Sequence, residues 1–303
     1  MNIKLRILIL FICCCIFSAC NFRFIKDGVL RIPTVNNNVC KKLKGNVVLY
    51  AIFVDTKDTH PWSEYDIRST LDSIQKASKW IEDKSHQNGV LLDIDVQYHQ
   101  NKNKIPLVAN LANKTLSATL FSPVLTTGIK KLDRWSNGLA KEAGKSFFQD
   151  TISMVATKNK ISDRERLVAK LRDINKTDQI VLMYFVNNYY KSEISMALHT
   201  ASNTNIEYAI VSFKNPAVIA HEFLHLFGAL DLYISPFDKG KKIRKRKEVA
   251  MKEFPYEIMA FTYKNIDSLD VSPFTKYLIG WQNELDEKST RMLLGKNIKV
   301  LKY

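Results

Sequence analysis

The string His221-Glu222-Phe223-Leu224-His225 constrains this chain more than any other stretch, because it fixes what one helix must carry. Residues at i and i+4 of a helix point the same way one turn apart, so the two imidazoles can share one metal ion. Glu222 then projects beside that position, close enough to take a proton from a water. Gly228 follows three residues after His225 and Asp231 three further on, which gives H-E-x-x-H-x-x-G-x-x-D. A glycine there lets the chain leave the helix through a positive φ and swing back, so a third ligand arrives from a loop. Asn215-Pro216 is a strong opening for such a helix, with Asn at the N-cap and Pro at the first helical position. Val218, Ile219, Phe223, Leu224, Leu226 and Phe227 supply the broad apolar surface of a helix buried inside a domain. The bland reading of the five-residue string is a pair of satisfied histidines on a core helix. Gly228 and Asp231 weigh against it.

Downstream comes Pro255-Tyr256-Glu257-Ile258-Met259-Ala260. With this element the chain resembles the metzincin branch of the zincin metallopeptidases, in which a methionine-containing turn lies under the metal. The resemblance implies that role for Met259, whose polarizable thioether suits an irregular space. An aspartate at 231, where a third histidine is commoner, is similar to the aspartate-type zincins, including the snapalysin-like peptidases. The run Gly228-Ala229-Leu230-Asp231-Leu232-Tyr233, then Ile258-Met259-Ala260, then Ser272-Pro273-Phe274 through Leu278-Ile279-Gly280-Trp281 also resembles the immune-inhibitor-type bacterial metallopeptidases. Specific motifs carry this resemblance over residues 206–281; upstream it rests on element order alone.

What the resemblance implies is one catalytic Zn2+ held by His221, His225 and Asp231, with Glu222 as general base. Asp231 either binds the ion directly or orients a histidine that does. Tyr263 could add a hydrogen bond, or be structural. His199 is a weaker candidate beside an expected edge strand, and reads first as a rim or core histidine.

The N-terminal residues bear on location. Lys4 and Arg6 precede the apolar run Ile7–Phe17, which is too short to span a membrane comfortably as a permanent helix. Ser18-Ala19-Cys20 then looks like a bacterial lipobox, which implies a signal peptide over 1–19 and lipidation of Cys20. Acyl chains contribute about 0.8 kcal/mol per buried methylene, so such a chain is anchored to a membrane surface and does not span it. The implied place is the bacterial envelope, at the outer membrane or cell surface. Of five cysteines, three would leave with the signal and one would carry lipid. Cys40 then stands alone, with no partner for a disulfide in the mature chain.

Residues 20–44, with Asn36-Asn37-Asn38 and Lys41-Lys42, read as a lipidated N-terminus and tether. Residues 45–303 suffice for one large domain, and 46% hydrophobic with 11% aromatic residues argue for a packed core. Continuous apolar β-rich runs at 46–54 and 179–186 read as buried strands. Residues 63–86 carry helical spacing through Ile67, Leu71, Ile74, Ala77, Trp80 and Ile81 and close at Asn88-Gly89. Further strands are expected at 90–98, 194–199 (an edge) and 206–213, and helices at 129–148 and 163–173. The expected class is α/β (α+β), zincin-like: a mixed twisted sheet with packed helices in an upper subdomain, 45–230. A smaller, mostly helical or irregular lower subdomain, 231–303, completes it, with the metal in the cleft between.

The net charge is +15, and much local excess lies in Lys239-Gly240-Lys241-Lys242-Ile243-Arg244-Lys245-Arg246-Lys247. This run reads as a solvated loop, as an attractor of anionic headgroups or glycans, or as a selector of acidic substrates. Nucleic acid is a poor partner, since no aromatics interleave the cations. The expected activity is that of a membrane-anchored zinc endopeptidase acting on peptides or proteins; the sequence leaves its oligomeric state open, a monomer being favoured. A zinc amidase acting on cell-wall peptides, or a noncatalytic surface-binding lipoprotein on the same scaffold, are the alternatives.

Overall fold

The computed structural model describes residues 42–57, 59–100, 105–111, 125–148, 162–187, 195–198, 206–212, 214–234 and 241–290. Cys20, Cys40, His199, Lys239 and Gly240 lie outside the described residues, as do the expected signal peptide and most of the expected tether.

Two hydrophobic strands form the centre. β1 (Gly45–Asp55) and β4 (Gln179–Val186) pair in parallel along most of their length, and residues 47–54 and 180–186 are all buried. That explains their unbroken apolar runs, because a parallel strand covered on both faces has no solvent side on which to place polar residues. β2 (Leu92–Tyr98) flanks β1 in parallel, and β6 (Tyr208–Val211) flanks β4 in parallel. β5 (Met196–Leu198) runs antiparallel to β6 and ends the order β2-β1-β4-β6-β5. The sheet is therefore mixed, in a mixed α/β chain. A sixth strand, β3 (Leu107–Val108), prolongs the β2 side by pairing with Val54 and Asp55; its two residues gave no periodic signal.

Helices cover the faces. α1 (Glu64–Gln87) begins at a capping box in which Ser63 and Asp66 each satisfy the other's backbone N–H. It ends at Asn88 and at Gly89, whose φ is +70°. α2 (Leu125–Phe148) and α3 (Asp163–Asn175) pack together, and α3 opens on its own capping box, Ser162 with Glu165. Alternate residues of β4 serve opposite faces of the sheet. Tyr184 lies against Trp135 of α2 and donates its hydroxyl to the Ser136 carbonyl at 2.9 Å, whereas Phe185 stacks on Phe53. Phe53 in turn meets Trp62, just ahead of α1.

The chain leaves β6 for α4 (Pro216–His225), which packs on α1. After residue 234 the described chain resumes as α5 (Lys241–Glu253), followed by a 3-10 turn at Ile266–Ser268 and the short α6 (Pro273–Leu278). α5 corrects the loop reading of the basic run. From residue 241 onward it is helical, and Ala250 is its buried contact. Lys and Arg are good helix formers, so a charge run by itself says nothing against helix.

The expected tether also gives way earlier than 44. Leu43 is fully buried, donates its N–H to the Ile279 carbonyl at 2.9 Å and accepts the Trp281 indole N–H at 2.7 Å.

Candidate metal centre

α4 is built to hold polar side chains in an apolar setting. Asn215 accepts the Ala217 N–H at 2.8 Å, and Pro216 fills a position that needs no N–H donor. The helix is then buried from Ala217 to His225. It ends in a Schellman motif: the Ala229 N–H reaches the Leu224 carbonyl at 3.2 Å and the Gly228 N–H reaches the His225 carbonyl at 2.9 Å. Gly228 has φ +96°, and a Cβ there would stand 3.5 Å from the Leu278 carbonyl oxygen. The backbone angle, not the space, demands glycine.

This turn delivers Asp231 back to the helix. His221 Nε2 and His225 Nε2 are 3.0 Å apart, Asp231 Oδ1 is 3.0 Å from His225 Nε2, and it is 3.2 Å from His221 Nε2. Both imidazoles are buried, with rings nearly perpendicular at 88°. Asp231 remains 36% exposed at its side chain, which opens the cluster to solvent on that side.

The other ring nitrogens settle what these contacts mean. His221 Nδ1 lies 3.2 Å from the Ile258 carbonyl, and His225 Nδ1 lies 2.8 Å from the Ala229 carbonyl. A carbonyl only accepts, so each neutral ring carries its proton on Nδ1 and presents a bare lone pair at Nε2. Two lone pairs and a carboxylate oxygen then converge on one point. That is a donor set short of a positive charge, which a cation would supply. For a tetrahedral ion with bonds of about 2.0–2.1 Å, ligand atoms on one face stand about 3.3 Å apart. The observed triangle is only slightly tighter. These three residues could hold a metal ion.

Electrostatics distinguish the carboxylates. Burial alone would raise the Asp231 carboxyl; with no ion between them, imidazoles that also carry a proton on Nε2 more than offset it and hold it well below the usual carboxylate range. Glu222, beside the cluster, is pushed up to about 8 by burial. The charge of Asp231 works in the same direction, while His225 and a hydrogen bond from the Ala197 backbone oppose it. Ala197 belongs to β5, so Glu222 lies between the His221, His225 and Asp231 cluster and the edge of the sheet. Its Oε2 is buried without a hydrogen-bond partner among the described residues.

The turn carrying Met259 abuts this cluster through its backbone. The Ile258 carbonyl faces His221, and the Met259 carbonyl accepts the Leu232 N–H at 3.0 Å. Met259 itself is fully buried. Tyr263 is 74% exposed, its ring edge-on to Phe261. The aromatic beside the cluster is Tyr233, whose ring centroid is 6.2 Å from that of His221 and whose face carries the Lys247 ammonium at 5.7 Å. Its position two residues after Asp231 was the available signal. The part played by Glu257, a second buried carboxylate below the turn, had no signature in the sequence.

No family model matches the chain, and neither a curated protein nor a solved structure matches it.

Proposed function

We propose that this chain is a zinc-dependent endopeptidase of the zincin type, carried on a lipid-anchored protein of the bacterial envelope. The supporting observation is the triangle of two Nε2 lone pairs and one carboxylate oxygen with an unpaired buried carboxylate oxygen beside it. A zinc ion, when bound, supplies Lewis acidity, which lowers the proton affinity of a coordinated water and polarises a carbonyl. Everything else falls to the chain. His221, His225 and Asp231 would hold the ion, the Ile258 and Ala229 carbonyls fixing both rings in the tautomer that binds it.

Glu222 takes the proton. Its Oε2 accepts nothing from the protein among the described residues, so it is available to a water and can pass the proton to a leaving amine. A pure binding module has no use for such a group. β5 lies at the edge of the sheet with Ala197 near Glu222, and an extended peptide adds to such an edge through backbone hydrogen bonds. The scissile bond would then lie across the cluster.

The envelope part of the proposal rests on Lys4, Arg6, the apolar run and Ser18-Ala19-Cys20. No helix among the described residues is long and apolar enough to cross a membrane.

The test is metal analysis followed by cleavage of a mixed peptide library. The expected result is one zinc per chain and cleavage that a chelator abolishes and added zinc restores. A zinc-loaded protein that cuts no peptide in the library overturns the peptidase reading in favour of a binding role. Cys20→Ser should abolish partitioning into detergent; unchanged partitioning removes the lipid anchor.

A further inference from the structure

One buried acid is not used by the chemistry above. Glu257 is only 2% exposed, yet no cation among the described residues pairs with it. Its Oε1 accepts the Met259 N–H at 2.9 Å and the Thr275 hydroxyl at 3.2 Å, and its Oε2 accepts the Ser272 N–H. Thus a single carboxylate fastens the turn at 257–260 to the first residues of α6. The same turn is tied by Ile258 N–H to the Asp270 carbonyl at 3.0 Å and by Asp270 N–H to the Tyr256 carbonyl at 2.6 Å.

The three ligands are not supported alike. His225 leans on the Ala229 carbonyl, four residues away on its own turn. His221 leans on the Ile258 carbonyl, which is 37 residues away in sequence. Asp231 is steadied by its neighbour, since the Leu232 N–H is held by the Met259 carbonyl at 3.0 Å. Two of the three ligands therefore depend on where residues 258 and 259 stand. Glu257 holds the N–H of one of them directly.

We propose that Glu257 is a positioning residue for the metal centre: its carboxylate sets the turn whose carbonyls orient His221 and steady Asp231. It does not touch the ion or a substrate. This inference rests on the metal-site reading, not on the peptidase activity. Glutamine is a poor replacement despite its shape, because its amide NH2 must face a backbone N–H of Met259 or Ser272, donor against donor. Hydrogen-bonded supports of this kind are worth about 10–100-fold in metal affinity.

The experiment compares parent, Glu257→Gln and Thr275→Val, with zinc affinity measured by competition against a chromophoric chelator. Imidazole NMR on the metal-free proteins reports which ring nitrogen of each histidine carries the proton. In Glu257→Gln the expected result is zinc bound about 10–100-fold more weakly. The His221 Nδ1–H signal should be lost or shifted, while that of His225 stays. Parent-like zinc affinity with both signals unchanged overturns the proposal.

Should Glu257→Gln fail to fold, Thr275→Val decides. A smaller loss of affinity with only the His221 signal displaced supports it, and no change in either readout overturns it. A parent that binds zinc but cleaves nothing defeats the peptidase reading and leaves this test intact. A parent that binds no zinc defeats the metal-site reading, and the NMR arm on metal-free protein still decides whether Glu257 orients His221.

Discussion

Two regions of this molecule each sink a glutamate into the interior without a salt bridge among the described residues, and they differ in what the protein gives back. Under the turn at 257–260, Glu257 receives two backbone N–H groups and a hydroxyl. On α4, Glu222 keeps one oxygen with no partner among the described residues. Burial pushes both carboxyls upward. A buried carboxylate that is fully hydrogen-bonded fixes geometry, and one left open costs stability and is retained for chemistry. On the proposed reading, the contrast separates scaffold from reagent.

The sharpest way to break that contrast is Glu222→Gln. Turnover should fall at least about a hundredfold, the lower end of what a general base contributes, while bound zinc and melting temperature stay at parent values. Near-normal turnover would strip Glu222 of its role, and a large loss of stability would show it to be scaffold like Glu257.

Glu257→Ala should do the reverse to the fold. Two orphaned backbone N–H groups at roughly 1–3 kcal/mol each predict a clear drop in denaturant midpoint. An unchanged midpoint would make the two glutamates equivalent. Asp231→Ala probes the shared ground: zinc affinity should collapse, and with it the added stability of about 2.7 kcal/mol expected at a zinc concentration one hundred times the parent's Kd. Full retention of zinc would show Asp231 to orient a ligand rather than be one.

A milder comparison is Thr275→Val, which removes one of three donors to Glu257 and should cost about 1 kcal/mol by chemical denaturation.

The smallest expected effect is in pH. Glu257 titrates above the ordinary carboxylate value because it is buried, the hydrogen bonds from Ser272, Met259 and Thr275 opposing that only in part. Between its ordinary and raised values, the folded chain keeps a proton that the unfolded chain has released. Stability therefore falls as pH rises through that window. Subtracting the melting curve of Glu257→Gln from that of the parent should show this slope; a flat difference would contradict the direction.

What could be read from the sequence follows from how local each cause is. The parallel strands announced themselves as unbroken apolar runs, and α1 and α4 through Ser63, Gly89, Asn215 and Pro216, because caps and cores act within a few residues. The convergence of His221, His225 and Asp231 was likewise legible, since helical spacing and one glycine generate it. β3 was not, as two residues carry no period. α5 was hidden by its charge, its buried side being marked by little more than Ala250. Glu257 looks like any acid on a turn until Ser272 and Thr275 arrive from α6. That arrival is tertiary, and no local pattern encodes it.

The clasp between Leu43 and the Ile279–Trp281 segment gives this arrangement a kinetic consequence. The segment that closes over the lead-in to β1 follows directly on α6, whose first residues grip Glu257. Joining these two sequence-distant segments and completing the turn beneath His221 and Asp231 are thus both non-local steps, of the kind that slow folding. A polypeptide still emerging from synthesis, with everything beyond Tyr256 missing, would lack the Ile258 carbonyl that readies His221 for an ion. If the cluster takes up a metal ion, that uptake would then report that folding has finished.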